Sequence, residues 1–427
     1  MSSGAPSDPL TRPAFGGACS GSSRAESSPS TGSGLDPKGV EGSRDDAAEP
    51  GHARELHATR YARIRHRVLL TDLVGQIAFL LVFQLTGASA SLARWTGTLT
   101  PVAPWQLAVY LTVFGLCSYI VFLPLHLYSS FSLEHRFGLS RLSVNAWLIR
   151  EAKQVSLGAG FGLVVMEAFY ALLRSVPRAW PLWATIGWVL LSVVIARVFP
   201  TWLVPLFYKT TTIQDASLVQ RLLTLCERAK LSALGVFRVD LGVETRKANA
   251  ALAGLGGTRR VLLSDTLLEN FTPEEIETVL AHELGHQRHH HIRQFLVLSA
   301  IGSLLAFSII DRTSNVWIAR FGLSGLSDVA GFPMLMLSLS LLGLIGLPLQ
   351  NGLSRYFERQ ADRFAVTLTR LPTAFAAALR KLGELNLADP NPPRWIEWLF
   401  YDHPAIHKRI AAAEAASLAG ASHARIS

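Results

Sequence analysis

Long apolar segments separated by polar blocks run through the chain from residue 68 onward. Six of them have the length and apolar character of membrane-crossing helices, and they cover residues 68–92, 105–127, 155–173, 180–206, 295–310 and 332–349. A perpendicular helix needs about 20 residues to span the hydrocarbon core, so the fifth and sixth segments are short, and a buried-core helix is the alternative for them. The pattern predicts an all-α membrane protein, a polytopic bundle of about six transmembrane helices.

Basic residues gather beside these apolar segments. Four arginines lie within residues 60–67, ahead of the first segment, and further basic residues lie within 136–153, between the second and third. The positive-inside rule places both clusters on the cytoplasmic side. Counting crossings from there puts the polar blocks 208–293 and 351–427 on that same side. Membrane orientation therefore accounts for the net charge of +9, and no nucleic-acid partner is predicted.

The composition supports a membrane protein with an unusual N-terminal end. Only 17% of the residues are charged, where a soluble domain has about 25%. Residues 1–58 are rich in Ser, Gly and Pro and contain no apolar run, so they are predicted to be a disordered tail. The three cysteines, Cys19, Cys117 and Cys226, are widely spaced and cannot form a disulfide framework, which favours a reducing compartment.

The polar block 208–293 contains the motif His282-Glu283-Leu284-Gly285-His286. On a helix the two histidines lie at i and i+4, on one face, where both can bind one metal ion. Glu283 then lies beside the open coordination position, as a general base requires. A chance match has a probability of roughly 1 in 100 in a chain of this size, so a histidine-bearing surface helix is the alternative for the motif alone. The histidines at 289–291 are interpreted as solvated or interfacial.

The second polar block supplies a third ligand. Glu358 and Asp362 lie at i and i+4, so one carboxylate can bind a metal while the other holds a ligand histidine. The alternative is an ordinary helix ion pair, because Arg355, Arg359 and Arg363 surround them.

Several short blocks occur in the same order as in a known family. They lie at residues 134–139, 198–207, 247–254, 281–286, 354–362 and 401–409. With these blocks the chain resembles the type I CAAX prenyl proteases, a family of integral membrane zinc metallopeptidases, from residue 128 to about residue 410. The resemblance implies that His282, His286 and Glu358 bind one zinc ion and that Glu283 activates a water molecule. Asp362 matches an acidic residue that is sometimes assigned as a proton donor, whereas its spacing suggests a residue that orients a ligand, and both roles stay open.

Three further positions take roles from the resemblance. His403 and Arg409 match residues thought to face the oxyanion, where positive or donating groups lower the barrier. A helix cap for His403 and a solvated helix face for Arg409 are the alternatives. Asn249 would bind substrate as an added strand. The family usually has an aromatic residue soon after this Asn, whereas Ala251 and Leu252 stand here, so the departure concerns substrate binding.

These expectations define an organisation and a function. The predicted parts are a tail at 1–58, a membrane domain with four transmembrane helices at 59–207, and a zincin-like metallopeptidase domain on the cytoplasmic side at 208–427. The last contains the two further transmembrane helices. The predicted reaction is hydrolysis of a peptide or protein substrate by metal-activated water, in a bacterial inner membrane or an endoplasmic reticulum membrane. The resemblance extends the substrate to peptides prenylated at a C-terminal cysteine, and membrane lipid is the other expected partner.

Two other functions fit parts of the pattern. A quality-control membrane protease of the HtpX kind would use the same chemistry on misfolded membrane proteins. A membrane scaffold with structural zinc would need four protein ligands, whereas the sequence offers three.

Overall fold

The computed structural model describes residues 50–198, 202, 204–253 and 259–424. Most of the predicted tail, with Cys19, lies outside the described residues, and so do 199–201, 203 and 254 within two of the sequence blocks. Residues 50–58, the end of the predicted tail, are helical, and Ala58 is buried. The prediction of disorder is therefore wrong for these residues.

The described chain is mostly helical, with one small sheet. The α-helices are α1 (Pro50–Leu85), α2 (Ala88–Leu99), α3 (Ala103–Leu127), α4 (Leu133–Arg136), α5 (Val144–Ser175), α6 (Trp180–Val198), α7 (Val204–Phe207), α8 (Ala216–Arg228), α9 (Asp265–Asn270), α10 (Pro273–Arg288), α11 (His291–Phe321), α12 (Phe332–Thr369), α13 (Pro372–Leu385), α14 (Arg394–Phe400) and α15 (Ile406–Ala424). A π-helical turn at Tyr128–Ser132 joins α3 to α4, and a 3-10 turn at Val329–Gly331 precedes α12. The strands are β1 (Thr210–Thr212), β2 (Val236–Val239), β3 (Ala250–Ala253) and β4 (Arg260–Ser264).

Six helical segments within the described ranges are long and apolar enough to cross a membrane, which confirms the predicted number. They are Arg54–Leu85, Ala103–Arg136, Val144–Ser175, Trp180–Val198, His291–Phe321 and Val329–Thr369. The first crossing ends earlier than predicted, because the chain turns at Gly87, which has a φ of 75°, and α2 follows. The fifth and sixth have 31 and 41 residues, so they are far longer than their apolar centres suggested, and the buried-core alternative fails.

A core of buried aromatic side chains anchors the start of α12 among the membrane helices. Phe332 packs edge-on against Phe114 and Tyr110 of α3, with ring centroids 5.1 and 6.2 Å apart. The hydroxyl of Ser89 donates to the carbonyl of Ala330 at 2.7 Å and so ties α2 to the same point. The entry of α12 into the bundle is thereby fixed.

The sheet has four strands in the order β1-β2-β4-β3, and the all-α prediction missed it. Each strand has three to five residues, too short for a clear alternation of apolar and polar positions. Strand β3 is an edge strand that pairs antiparallel with β4 alone, and it begins directly after Asn249. This edge adjoins α10.

Helices α10 and α12 approach each other closely because a glycine faces an alanine. A Cβ atom added to Gly285 would lie 2.9 Å from the Cα of Ala361. The contact seals a core to which α8, α9, α13 and α15 also contribute, with Leu280, Leu284 and Ala365 fully buried. The half of α12 that extends beyond its apolar segment is thereby held against the histidine motif.

We expect the Gly285→Ala substitution to destabilise the protein by about 1–3 kcal/mol, because the added methyl group overpacks a backbone contact. Gly302→Ala is the matched control, since nothing lies within 4 Å of a Cβ at this helical glycine. Thermal unfolding of both variants in detergent measures the difference. Equal melting temperatures would show that the α10–α12 contact tolerates the methyl group.

Candidate active site

Helix α10 presents the motif from a rigid frame. Its first turn carries a capping box, in which the side chain of Thr272 accepts from the main-chain N–H of Glu275, and the side chain of Glu275 accepts from the N–H of Thr272. Pro273 at the first helical position has a backbone angle suited to a helix start. Since nearly every residue from Glu275 to Gly285 is buried, the helix cannot rotate, and His282 and His286 are fixed on one face.

Glu358 of α12 joins these histidines. Its Oε1 lies 3.1 Å from Nε2 of His286, and its Oε2 lies 3.3 Å from Nε2 of His282. The two Nε2 atoms are 3.1 Å apart. Glu358 is 4% exposed, so its charge has little access to water. The structure thus brings together the three residues predicted to bind a metal.

Asp362 and Arg409 lie on the Nδ1 side of His282. Oδ1 of Asp362 lies 2.8 Å from Nδ1 of His282. Arg409 of α15 donates to both carboxylate oxygens of Asp362, from Nη2 at 2.7 Å and from Nε at 2.9 Å. Burial disfavours the charged form of His282, but the adjacent carboxylates of Asp362 and Glu358 prevail and raise its pKa to about 9. A proton therefore competes with a metal ion for this imidazole.

His286 has a support that the sequence analysis missed. Its Nδ1 lies 2.9 Å from Nδ1 of His291, and Nε2 of His291 lies 3.0 Å from Oε1 of Gln360. His291 is 1% exposed and stacks on Phe357 with the rings 4.2 Å apart. The interpretation of His291 as solvated or interfacial is wrong, because α10 ends at Arg288 and His290 adopts a φ of 57°. This break turns His291 back toward the motif, while His289 and His290 are exposed.

His403 lies at the open side of the cluster. Its Nε2 is 3.3 Å from Oε1 of Glu358, and its Nδ1 is 2.8 Å from Oδ1 of Asp402. Burial opposes the charged form, but the bond to Asp402 and the charge of Glu358 raise the pKa of His403 above its usual value. The side chain is 51% exposed, so it can reach a bound molecule. Asp402 lies in the sequence block at 401–409, but the sequence alone does not indicate its contact with His403.

A cavity of about 600 Å³ opens onto these residues. Its lining includes Asn249, Glu283 and His403, together with Arg409. The main-chain N–H of Asn249 donates to Oγ of Ser264 at 2.9 Å, which fixes the start of β3 beside the cavity. Glu283 is partly buried and lines the same space. The cavity therefore brings a candidate general base and a strand edge to one place.

The donor set fits a divalent metal ion. One ligand atom each from His282, His286 and Glu358 lies within 4.8 Å of the others. Oε2 of Glu358 is buried, and no residue of the described chain donates a hydrogen bond to it. With Nδ1–H of each histidine directed at its partner, the two Nε2 lone pairs face each other, and a cation between them removes the repulsion. Two imidazoles and one carboxylate are a ligand set of catalytic metal sites that leave a position for water.

Two family models match this chain. Residues 212–417 match the model of peptidase family M48, and residues 54–209 match the model of the CAAX prenyl protease N-terminal region, described as five membrane helices. In the described part of 54–209, four helices are long and apolar enough to cross a membrane, and α2 is shorter.

Relatives and a solved structure extend over most of the chain. An uncharacterised metalloprotease, YhfN, of Bacillus subtilis is 26% identical over 383 residues, covering 88% of this chain and 90% of that protein. CAAX prenyl protease 1 of Saccharomyces cerevisiae is 27% identical and covers 72% of each chain. The CAAX prenyl protease 1 homolog of Arabidopsis thaliana is 30% identical, covering 69% of this chain and 70% of that protein. The crystal structure of S. mikatae Ste24p has the same fold, with a TM-score of 0.76 at 24% identity, over 88% of this chain and 91% of that one. This chain therefore belongs to the CAAX prenyl protease group of peptidase family M48, and it is a membrane metallopeptidase.

Proposed function

We propose that this chain is a zinc-dependent endopeptidase that cuts peptide bonds at the cytoplasmic face of its membrane. The observation that carries the proposal is the convergence of His282, His286 and Glu358 beside Glu283, in a cavity large enough for a peptide segment. Three protein ligands leave a position for water, which is the arrangement of catalytic zinc and not of structural zinc. A scaffold with structural zinc therefore has no support.

The side chains around the cluster have different roles in the hydrolysis. Zinc at this site would polarise the substrate carbonyl and acidify the attacking water. Glu283 takes the proton of that water and passes it to the leaving amine. His403, held by Asp402, donates to the oxygen of the tetrahedral intermediate as its negative charge develops.

Asp362 and Arg409 act through the ligands. The bond of Asp362 to Nδ1 of His282 keeps Nε2 as the atom that faces the metal and makes the imidazole a better ligand. Two bonds from Arg409 hold the Asp362 carboxylate in its ionised form, which favours an orienting role over proton donation. Nη2 of Arg409 also lies 3.5 Å from Oε2 of Glu358, so its positive charge is close enough to the cluster to stabilise an oxyanion formed there.

We propose that substrate binds along the free edge of β3. This strand pairs with β4 on one side only, and Asn249 at its start lines the cavity. A peptide added antiparallel to this edge would run past Glu283 and His403. Because Ala251 and Leu252 stand where the family usually has an aromatic residue, we propose that other parts of the cavity select the side chains of the substrate.

A prenylated substrate is supported by a second cavity among the membrane helices. This cavity has a volume of about 1350 Å³, is lined mostly by apolar side chains of α1, α3 and α5, and shares Arg65 and Leu69 with the active-site cavity. Burial of a prenyl chain contributes about 0.8 kcal/mol per methylene group, so the lipid can supply binding energy that a short peptide lacks.

The family models also bear on the division of the chain into domains. We propose a membrane domain at 59–207 and a metallopeptidase domain at 208–427 that contains α11 and α12. The family models support this division, since one ends at residue 209 and the other begins at residue 212. The cytoplasmic orientation is supported by the basic residues that precede the first and third crossings.

Substitution of Glu283 by Gln should leave zinc binding intact and reduce the rate of peptide cleavage by at least about 100-fold, because the amide cannot accept the proton of water. Zinc content and turnover of a fluorogenic peptide are measured on the same preparation. Glu269→Gln, at an exposed glutamate of α9, is the control and should keep full activity. A Glu283→Gln enzyme that still cleaves at the native rate would refute the assignment of the general base.

His291→Phe should weaken zinc binding about tenfold, because phenylalanine keeps the stack on Phe357 but accepts no hydrogen bond from His286. His291→Asn restores an acceptor and should recover part of the affinity. His289→Phe makes the same change at an exposed histidine and should bind zinc normally. Competition with a chromophoric chelator gives the affinities, and equal values for the Phe and Asn variants at 291 would contradict the hydrogen-bond role.

A farnesylated peptide should be cleaved with a kcat/KM at least about tenfold higher than the same peptide without the lipid, since the chain adds several buried methylene groups. Purified protein is incubated with both peptides, with and without a chelator, and the products are identified by mass spectrometry. Equal cleavage of both peptides, abolished by the chelator, would favour the quality-control alternative. If the chelator abolishes cleavage of both peptides, the protein is a metallopeptidase whichever peptide it prefers.

A further inference from the structure

A cationic cavity adjoins the active-site cavity. It has a volume of about 560 Å³, and Phe375, Pro404 and Arg409 line both spaces. Six basic side chains contribute to its lining, against two acidic ones, and the basic residues are Arg355, Arg359, Arg363, Arg394, Lys408 and Arg409. The cavity therefore has an excess of positive charge, and the catalytic mechanism uses only one of these residues.

The acidic residues of this cavity are already paired. Asp362 binds Arg409, and Glu397 binds Nζ of Lys408 at 2.5 Å. Arg355 donates to the main-chain carbonyls of Glu397 and Tyr401, at 2.8 and 2.5 Å. Arg359, Arg363 and Arg394 are exposed, and no carboxylate of the described chain lies within ion-pair distance of them. Guanidinium groups without a carboxylate partner are suited to a phosphate group.

The cavity lies beside the polar half of α12, which follows its apolar segment. Ile345 and Leu349, at the end of this segment, are 76% and 69% exposed, as expected of side chains that face lipid. Tyr356, Arg359 and Arg363 follow on the same helical face, at intervals of three, four or seven residues. An apolar surface that continues into a tyrosine and then into arginines is typical of a helix that passes through the headgroup layer.

Helix α14 carries two exposed tryptophans close to this half of α12. The side chain of Asn351 donates to the carbonyl of Leu399 at 2.6 Å, so α14 is fixed to α12 only two residues beyond Leu349. Trp395 and Trp398 of α14 are 55% and 58% exposed, and Trp398 lines the cavity. Tryptophan is enriched at membrane interfaces because its ring is apolar and its N–H is polar.

We propose that this cavity binds the phosphate group of an anionic phospholipid from the adjacent leaflet. Side chains of a helix lean toward its N-terminus, so the arginines of α12 point back toward the bilayer. Arg359 and Arg394 hold the phosphate between α12 and α14, and the exposed tryptophans lie among the acyl-chain ends and headgroups. Free phosphate would satisfy the charges, but it would leave the apolar surface and the tryptophans without a partner.

The test compares two lipids that differ only in the headgroup. Purified full-length protein in detergent is titrated with phosphatidylglycerol or with phosphatidylcholine of the same acyl chains, and bound lipid is counted by native mass spectrometry. Phosphatidylglycerol should bind to the wild-type protein more tightly than phosphatidylcholine, because the choline group adds a positive charge beside the phosphate. The double variant Arg359→Gln/Arg394→Gln should bind phosphatidylglycerol about 30-fold more weakly, as expected for two arginines at a lipid surface.

A matched variant separates this cavity from general surface charge. Arg63→Gln/Arg293→Gln removes two exposed basic residues at the ends of other crossings, and it should bind phosphatidylglycerol like the wild type. Equal loss in both double variants, or equal binding of the two lipids, would overturn the proposal. Inorganic phosphate that displaces phosphatidylglycerol in proportion to its own binding would assign the cavity to free phosphate and overturn the lipid source.

Discussion

The close contact between α10 and α12 is the constraint on which the site depends. Gly285 has no side chain to keep Ala361 away, so Glu358, one turn earlier on α12, reaches both imidazoles of the motif. The carboxylate is almost fully buried there, and burial of a charge is costly unless opposite charge or hydrogen bonds compensate. The close packing of α10 and α12 therefore brings two imidazole nitrogens and a carboxylate together. A cation bound among them would stabilise this arrangement.

The same helix connects catalysis to the membrane. Helix α12 is anchored by Phe332 among the membrane helices and continues without interruption to Glu358 and Asp362. Since α11 begins only three residues after α10 ends, both halves of the metal site are attached directly to membrane-crossing helices. The distance of the metal site from the bilayer is thereby fixed by helix length. A substrate held in the membrane would meet the cavity without any large movement of the enzyme.

The sequence predicted the features that depend on neighbouring residues. It did not predict those that depend on contacts between distant residues. Apolar segments predicted the six crossings, and spacings of four residues predicted the shared faces of His282 with His286 and of Glu358 with Asp362. The sheet was missed because its strands are too short for a pattern. The burial of His291 was not predicted, because it depends on the end of α10 at Arg288 and on the left-handed backbone of His290, which turns the chain. The contact of Asp402 with His403 depends on a loop conformation, which spacing does not encode.

The two ligand histidines are supported differently, and the charge of the site gives a reason. His282 bonds to a carboxylate, Asp362, which Arg409 neutralises, whereas His286 bonds to a neutral imidazole, His291. Glu358 adds a further negative charge, and His403 and Arg409 already lie 3.3 and 3.5 Å from its carboxylate oxygens. A carboxylate in place of His291 would leave one negative charge without a partner in a buried site, at an energetic cost that a neutral acceptor avoids. The neutral support at His286 thus orients this ligand without adding another buried charge.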